Sequence, residues 1–339
     1  MTNNDSSMVP VDDLTDRVAA VFLAALTSSE NAQAVAKALV EAEVDGKKGH
    51  GLSRIESYAA QARAGKVDGF AKPCMTRDRP GGLMIDAANG FAYPAVNLAI
   101  DALPEAAAVS GIAAAGLFRS HHCGAMGRHV ERLAEAGLVA MAFANTPDAM
   151  APWGGTKRLY GTNPIAFAAP QRAAPPVVVD LALSQVARGK ILTAAQRDEP
   201  IPEGWATDNA GKPTTDAKAA LAGTLVPIGG PKGAALAFMV EVLAVTLTGA
   251  NFAFEATSFF DDKGDPPGVG QLLIAIDPAA FAGRDTFYDR IGLLCGLIDD
   301  DPGTRVPGSR RIALREVALR DGVAVAPDVL AKIDALRQA

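Results

Sequence analysis

Apolar and polar positions along this chain follow two different periods, and the change from one to the other marks its organisation. Residues 12–45 carry the helical period, with Val18, Phe22 and Ala25 on one face of a first helix. A second helix starts at a capping box formed by Thr27 and Glu30 and ends at Gly46. A third run lies in DGKKGHGLSRIESYAAQARAG, where Ile55, Ala59 and Ala62 recur at helical spacing until Gly65. His50 therefore falls at or just before a helix N-terminus. From Leu83 the texture becomes short apolar runs between alanine-rich helices: LMIDA, VNLAIDALPEAAAV, GIAAAGLF, VERLAEAG and LVAMAFAN. Such alternation predicts an α/β domain without fixing strand order. Stretch 146–164, dense in Gly and Pro, reads as a loop before the strand candidates IAFAA and VVVDLAL. A second such segment, 199–216, precedes a long helix after Lys232. Its apolar run, 234–248, contains Glu241 and is shorter than the roughly 20 residues that span a bilayer, so it reads as a buried helix. A strand QLLIAID, a helix over 284–299, an arginine-rich loop RVPGSRR and a final helix near 326–338 complete the chain.

Composition narrows the class. With 339 residues, 49% hydrophobic and 21% charged, the chain suits two or three domains with their own cores. A formal net charge of -6 provides no general attraction for nucleic acid or an anionic membrane. Cys74, Cys123 and Cys295 are odd in number and lack CxxC spacing, which fits neither a disulfide framework nor a zinc ribbon. A reducing, cytoplasmic setting is expected, and the acidic, polar start MTNNDSSMVPVDDL lacks the pattern of an export signal.

Only four histidines are present: His50, His121, His122 and His129. A general acid or base is most economically sought among them. On a continuous helix His50, Arg54 and Tyr58 share one face, offering a proton donor, a bidentate carboxylate clamp and a phenol, the set that reduction of an α-keto acid needs. The same spacing also fits a capping histidine beside a solvated arginine. His121 and His122 sit at a strand-to-helix turn, where ligands of α/β proteins often bind. Adjacent histidines diverge and have no carboxylate or Cys at zinc spacing, so no metal is expected. His129 is expected on the exposed face of the following helix. GxGxxG, GxxxxGK[ST] and GxSxG motifs are all missing. Gly-rich turns at 153–155, 229–233 and 305–311 offer backbone amides and cations to phosphates.

Taken in order, DGKKGHGLSRIESY, RSHHCGAMGRHVERLAEAGLVAMAFAN, APWGGTKRLYGTNPIAFAAP, VVVDLALSQVARGK, PIGGPKGAALAFMVEVLA, GQLLIAIDP and RVPGSRR resemble the malate/L-lactate dehydrogenase family that is unrelated to Rossmann lactate dehydrogenases. The resemblance implies an α/β, non-Rossmann NAD(P)-binding fold with a mainly antiparallel sheet. Residues 1–75 with 310–339 would form a helical domain and 76–309 the NAD(P)-binding region, with a smaller subdomain inserted. It also implies a homodimer and a small carboxylate substrate. Carried over residue by residue, His50 matches the proton donor, Arg54 the substrate-carboxylate arginine and His122 the histidine beside the nicotinamide. His121, Cys123, Gly124 and Ala125 line the cofactor in the same resemblance. Tyr58, Thr162, Arg188, Gly189 and Lys190 fall on the substrate side. Asp180, Leu181, Ala182, Lys232, Arg305, Pro307, Gly308, Ser309, Arg310 and Arg311 match cofactor contacts. Arg305, Arg310 and Arg311 suit a 2′-phosphate, which places NADP ahead of NAD.

Two positions depart from the cyclic-imine reductases of that family, where a Ser and an Asp form a relay with the histidine: here they are Gly49 and Lys190. The cationic set Lys47, Lys48, Arg188 and Lys190 suits a second anionic group on the substrate. VARGKI, IPEGWATD and EATSFFDDKG resemble the sulfolactate dehydrogenase branch. A 2-hydroxy acid dehydrogenase is thus expected first, a cyclic ketimine reductase second, and a non-catalytic nucleotide-binding protein third.

Overall fold

The computed structural model describes residues 6–338. The chain opens with β1 (Ser7–Val9), α1 (Val11–Ala24), α2 (Ser29–Val44) and α3 (Ile55–Arg63). An α/β stretch follows: β2 (Cys74–Arg79), β3 (Gly82–Asp86), α4 (Ala92–Ser110), β4 (Ile112–Ser120), α5 (Met126–Glu135), β5 (Val139–Ala144), β6 (Ile165–Ala169) and β7 (Val177–Leu181). A small unit holds α6 (Arg188–Gln196), β8 (Ala206–Thr207), β9 (Pro213–Thr214), α7 (Ala217–Ala222) and β10 (Thr224–Leu225). After it come α8 (Pro231–Glu241), β11 (Val269–Ile276), α9 (Arg284–Asp299), α10 (Ser309–Asp321), β12 (Val323–Val325) and α11 (Pro327–Leu336).

Seven strands form the main sheet in the order β2-β3-β4-β11-β5-β6-β7. Every neighbouring pair is antiparallel except β3 with β4, so the sheet is mainly antiparallel, as expected. On one face lie α4 and α5. In α4 the buried residues Ala92, Ala95, Val96, Ala99, Ile100, Leu103, Ala106 and Ala107 recur at helical spacing, and small alanines let the helix approach the strands closely. Each fully buried Val, Ile or Leu there stabilises by about 1.5–3 kcal/mol. The other face packs on a second core from the small unit and α8, including Met150, Ile191, Ala237 and Val240. Covering both faces explains the nearly unbroken apolar run of β11.

A third core joins α1, α2 and α3 with α11, and β1 pairs antiparallel with β12, so the two chain ends meet in one helical layer. Four expectations change here. The cap of α2 is Ser28, whose side chain accepts from the Asn31 amide, because Thr27 turns inward and donates to the Ala25 carbonyl. RVPGSRR is loop only to Gly308; Ser309, Arg310 and Arg311 open α10, a helix hidden by its scarcity of buried positions. The apolar run 234–248 buries one face only: Leu236, Phe238 and Leu247 are exposed, and a π turn at Val242–Thr246 interrupts the helix. His129 is buried, its Nε2–H donating to the Cys123 carbonyl (2.7 Å). No helix among the described residues is long and apolar enough to cross a membrane.

Candidate active site

The catalytic candidates meet through two tight turns. α2 ends at Asp45, and Gly46 takes a left-handed φ of 72°. Short 3-10 turns follow at Lys48–His50 and Leu52–Arg54, separated by Gly51, whose backbone (φ -98°, ψ -133°) is not helical. A side chain on Gly51 would place its Cβ 2.3 Å from the Glu43 carboxylate, whose Oε2 accepts the Leu52 amide (3.1 Å). Burial pushes the Glu43 carboxyl above its usual range, against the Leu52 amide and the nearby Lys48. His50 and Arg54 therefore do not share one continuous helical face: Gly51 breaks the helix between them. They are joined instead by the Arg54 Nε–H, which donates to the Gly49 carbonyl at 2.7 Å. His50 Nδ1 and Arg54 Nη1 are both shielded and have no hydrogen-bond partner.

The turn after β4 supplies the rest. His122 stacks on His50, ring centres 5.2 Å apart and planes within 17°. The Tyr58 hydroxyl of α3 is hydrogen-bonded to His122 Nδ1, which holds the orientation of that ring. His121 turns the other way and donates Nε2–H to Gln61 Oε1 (2.9 Å). Burial, reinforced by the Arg54 charge, holds His122 well below its ordinary value. Burial with Lys66 lowers His121 to about 3. His50 falls to about 4 for the same first reason, then Arg54, while Asp180 opposes. Burial pushes the Tyr58 phenol and the Cys123 thiol up to about 12, so neither is an anion at neutral pH. Gly124 has φ 69°, and a Cβ there would lie 2.6 Å from the Tyr93 hydroxyl, so the turn needs glycine.

The remaining candidates fall in several places. Ala125 caps α5 without a side-chain bond, so no side chain satisfies the helix's first amides. Beside that end stand Gly127 and Asp180, with Gly308 against Val178. Pro307 accepts the Val178 amide (3.2 Å), which brings the 305–311 segment to the same end as β7. Asp180 pairs with Lys47 (3.3 Å). Arg311 is buried toward Asp45 (3.4 Å), and its Nη2 has no hydrogen-bond partner, whereas Arg305, Ser309 and Arg310 are exposed. Leu181 is exposed and Ala182 half-buried at the end of β7. The Thr162 amide donates to Thr146 Oγ1 (2.9 Å). Lys232 is exposed near the start of α8, where Trp153 lies over Gly230. Three of the four cations suggested for a second anionic group have partners of their own. Lys47 meets Asp180, Arg188 donates to the Asp148 carbonyl (3.0 Å) and Lys190 reaches toward the Trp205 ring (6.0 Å), whereas the Lys48 side chain makes no bond among the described residues; the Gly189 carbonyl accepts from the Thr193 hydroxyl (3.0 Å).

Sequence reasoning missed a layer under this cluster. Gln61 bridges His121 and the Phe259 carbonyl (3.0 Å), and the Phe259 ring lies 5.2 and 5.1 Å from the His121 and His122 rings. Phe260 lies 4.5 Å from the Arg54 guanidinium. Their only signal was the pair of aromatics in SFFDD, a stretch without periodicity.

The profile of the family described as malate/L-lactate dehydrogenase matches residues 9–334. A (2R)-3-sulfolactate dehydrogenase (NADP(+)) of Chromohalobacter salexigens is 50% identical over 84% of this chain and 84% of its own. A Δ1-pyrroline-2-carboxylate reductase of Ancylobacter novellus is 41% identical, covering 93% of each. Among solved structures, a Δ1-piperideine-2-carboxylate reductase of Pseudomonas syringae superposes with TM-score 0.89 at 37% identity, over 98% of this chain and 100% of that one.

Proposed function

The chain belongs to the malate/L-lactate dehydrogenase family of oxidoreductases, and from that premise we propose that it interconverts a 2-hydroxy acid and its 2-oxo acid with NADP, on a substrate of the sulfolactate or malate type. One observation carries this reading: a shielded imidazole nitrogen of His50 and a shielded guanidinium nitrogen of Arg54, both without partners, come from two successive turns tied together by the Arg54 Nε–H bond to the Gly49 carbonyl. Unsatisfied buried donors and acceptors are costly unless a ligand completes them. Arg54 binds the substrate carboxylate through its remaining edge, and His50 passes a proton to, or takes one from, the oxygen on the adjacent carbon. When bound, the nicotinamide supplies or accepts the hydride at that carbon. His122, fixed by Tyr58, gives His50 a flat surface that sets its ring plane. The cofactor cradle fits the uncapped start of α5, the close approaches at Gly127 and Gly308, and the unpartnered Arg311 Nη2.

NADP is favoured by the 50% identical relative, whose name carries that cofactor, and by Arg305 and Arg310 at the surface beside the cradle. A second reading, cyclic ketimine reduction, has support in the 41% identical reductase. Gly49 and Lys190 in place of a hydroxyl and a carboxylate favour the hydroxy acid. A homodimer is part of the proposal: Leu293, Leu294 and Leu297 of α9 are each more than half exposed on one apolar stretch. So is a reducing, cytoplasmic location, which suits three unpaired cysteines. The helical layer and the sheet region are proposed as separate domains near the boundaries expected above.

The test is oxidation of NADPH and NADH, followed by absorbance, against sulfopyruvate, oxaloacetate, pyruvate and Δ1-piperideine-2-carboxylate. Highest kcat/KM with a dianionic 2-oxo acid and NADPH is expected. A higher kcat/KM for the cyclic imine transfers the assignment to ketimine reduction, and no turnover of any of them removes it.

A further inference from the structure

The segment carrying Phe259 and Phe260 is held against the catalytic turns at several points, more than a connecting loop requires. Lys66 is a lysine whose side chain is only 1% exposed. Its ammonium donates to the Ser258 carbonyl (2.7 Å) and the Asp261 carbonyl (3.1 Å), and pairs with the Asp261 carboxylate at 3.5 Å. Burying an ammonium is costly unless such partners meet it, so the two carbonyls flanking the aromatic pair are fixed in place. Gln61 adds its bond to the Phe259 carbonyl from α3, whose first turn follows Arg54. Phe260 itself is 45% exposed and so is not kept there by its own burial. Its ring lies over Arg54.

We propose that Phe260 is a positioning residue for substrate binding: in cation–π contact with Arg54, it restrains the guanidinium so that its open edge meets a planar two-oxygen anion. The inference rests on Arg54 binding the substrate carboxylate. Three parts of the guanidinium have assigned surroundings. Nε is tied to the Gly49 carbonyl, the guanidinium carbon sits over the Phe260 ring 4.5 Å from its centre, and Nη1 is shielded without a partner. A guanidinium held through Nε and packed against an aromatic ring has little freedom to swing, which lowers the entropy lost when a carboxylate docks bidentately. The ring also displaces water from one side of the future ion pair, where its negative face attracts the cation in addition. Because the carboxylate is held alike before and during hydride and proton transfer, the ring acts on binding rather than on the chemical step.

The experiment compares Phe260→Leu, Phe260→Tyr and Arg54→Lys in the full chain, with NADPH and whichever dianionic 2-oxo acid the panel identifies, each varied while the other is saturating. Phe260→Leu is expected to raise KM for the 2-oxo acid about tenfold, leaving kcat and the KM for NADPH near wild type. Phe260→Tyr, which keeps the aromatic face, restores the low KM. Unchanged KM in Phe260→Leu, a fall in kcat alone, or Phe260→Tyr behaving like the leucine variant overturns the inference. Arg54→Lys separates the two levels. If it leaves KM unchanged, the carboxylate assignment of Arg54 fails; if it raises KM while Phe260→Leu does not, only the role of Phe260 fails. Thermal midpoints of all three variants, expected near wild type at these partly exposed sites, exclude unfolding as the cause.

Discussion

His50 holds two opposing requirements in one ring. Burial and then the Arg54 charge lower it to about 4, so in the unliganded chain it is neutral at neutral pH, the form that its proposed role in taking a proton from a hydroxy acid requires. Reduction needs the protonated form, and a carboxylate arriving on Arg54 cancels the second of those causes while Asp180 already opposes both. The direction of pH dependence follows. For oxidation, kcat/KM is expected to be level near neutrality and to fall only toward pH 4; for reduction it should decline as pH rises from 5 to 8, since less of the free enzyme carries the proton. Initial rates in both directions over that range check this, and a reduction profile that is level to pH 8 removes His50 as the donor. Replacing His50 by Ala should lower kcat by about 10² to 10⁴-fold. NADPH binding, read by fluorescence titration, is expected to stay close to wild type, because the cradle at α5 and Gly308 does not use the imidazole.

At the level of elements, regular period carried the furthest. α4, β4, α5, β5, β6 and β11 are legible in the sequence because each buries apolar residues at its own spacing against one sheet. What escaped lacks that signature: α10 buries only Arg311 and Ala318 among the described residues, and the edge strand β2 is exposed throughout. The site was legible as residue types but not as geometry. The spacing of His50 and Arg54 suggests one helical face, which Gly51 interrupts, and the Gln61, Lys66 and Phe259 layer is built from contacts roughly 200 residues apart in sequence, which no local pattern records. The two glycines around His50 give a direct test of the turns. Gly49→Ser adds a side chain into space with no atom within 4 Å of its Cβ, so the thermal midpoint should stay near wild type. Gly51→Ala drives a Cβ against Glu43, whose backbone N is only 3.1 Å away and whose carboxylate is occupied by Leu52. About 1–3 kcal/mol of destabilisation is expected, a loss of several degrees measurable by differential scanning calorimetry. Equal midpoints in the two variants would mean that the Glu43 contact does not constrain the turn.

Across the whole molecule, the helical layer and the sheet region are joined by charge. Arg315 of α10 donates to both oxygens of Asp45 at the end of α2 (2.8 and 2.9 Å) and to both of Glu131 in α5 (3.0 and 2.8 Å). Both carboxylates are nearly inaccessible; burial alone would raise the Glu131 carboxyl, but the Arg315 bonds hold it below its ordinary value, so the stability it contributes is lost only as the pH falls below that value. The four histidines act in a different window. All have folded values below the ordinary 6.5, chiefly through burial, so the native chain stays neutral at these rings where the unfolded chain is charged. Unfolding therefore takes up protons as the pH falls below about 6.5, and the stability present above that point is lost progressively toward pH 4 and lower. Each such histidine contributes a slope of about 1.4 kcal/mol per pH unit within its window. His129, lowered to about 4 and bonded to the Cys123 carbonyl outside the catalytic pair, isolates one of these contributions. His129→Gln removes the titration at one site while a Gln amide can still donate to that carbonyl. Urea unfolding at pH 7.5, 6.0 and 5.0 should then show a dependence on pH flatter than wild type by about one proton; identical slopes would mean that His129 is already protonated in the native chain or freely exposed to water.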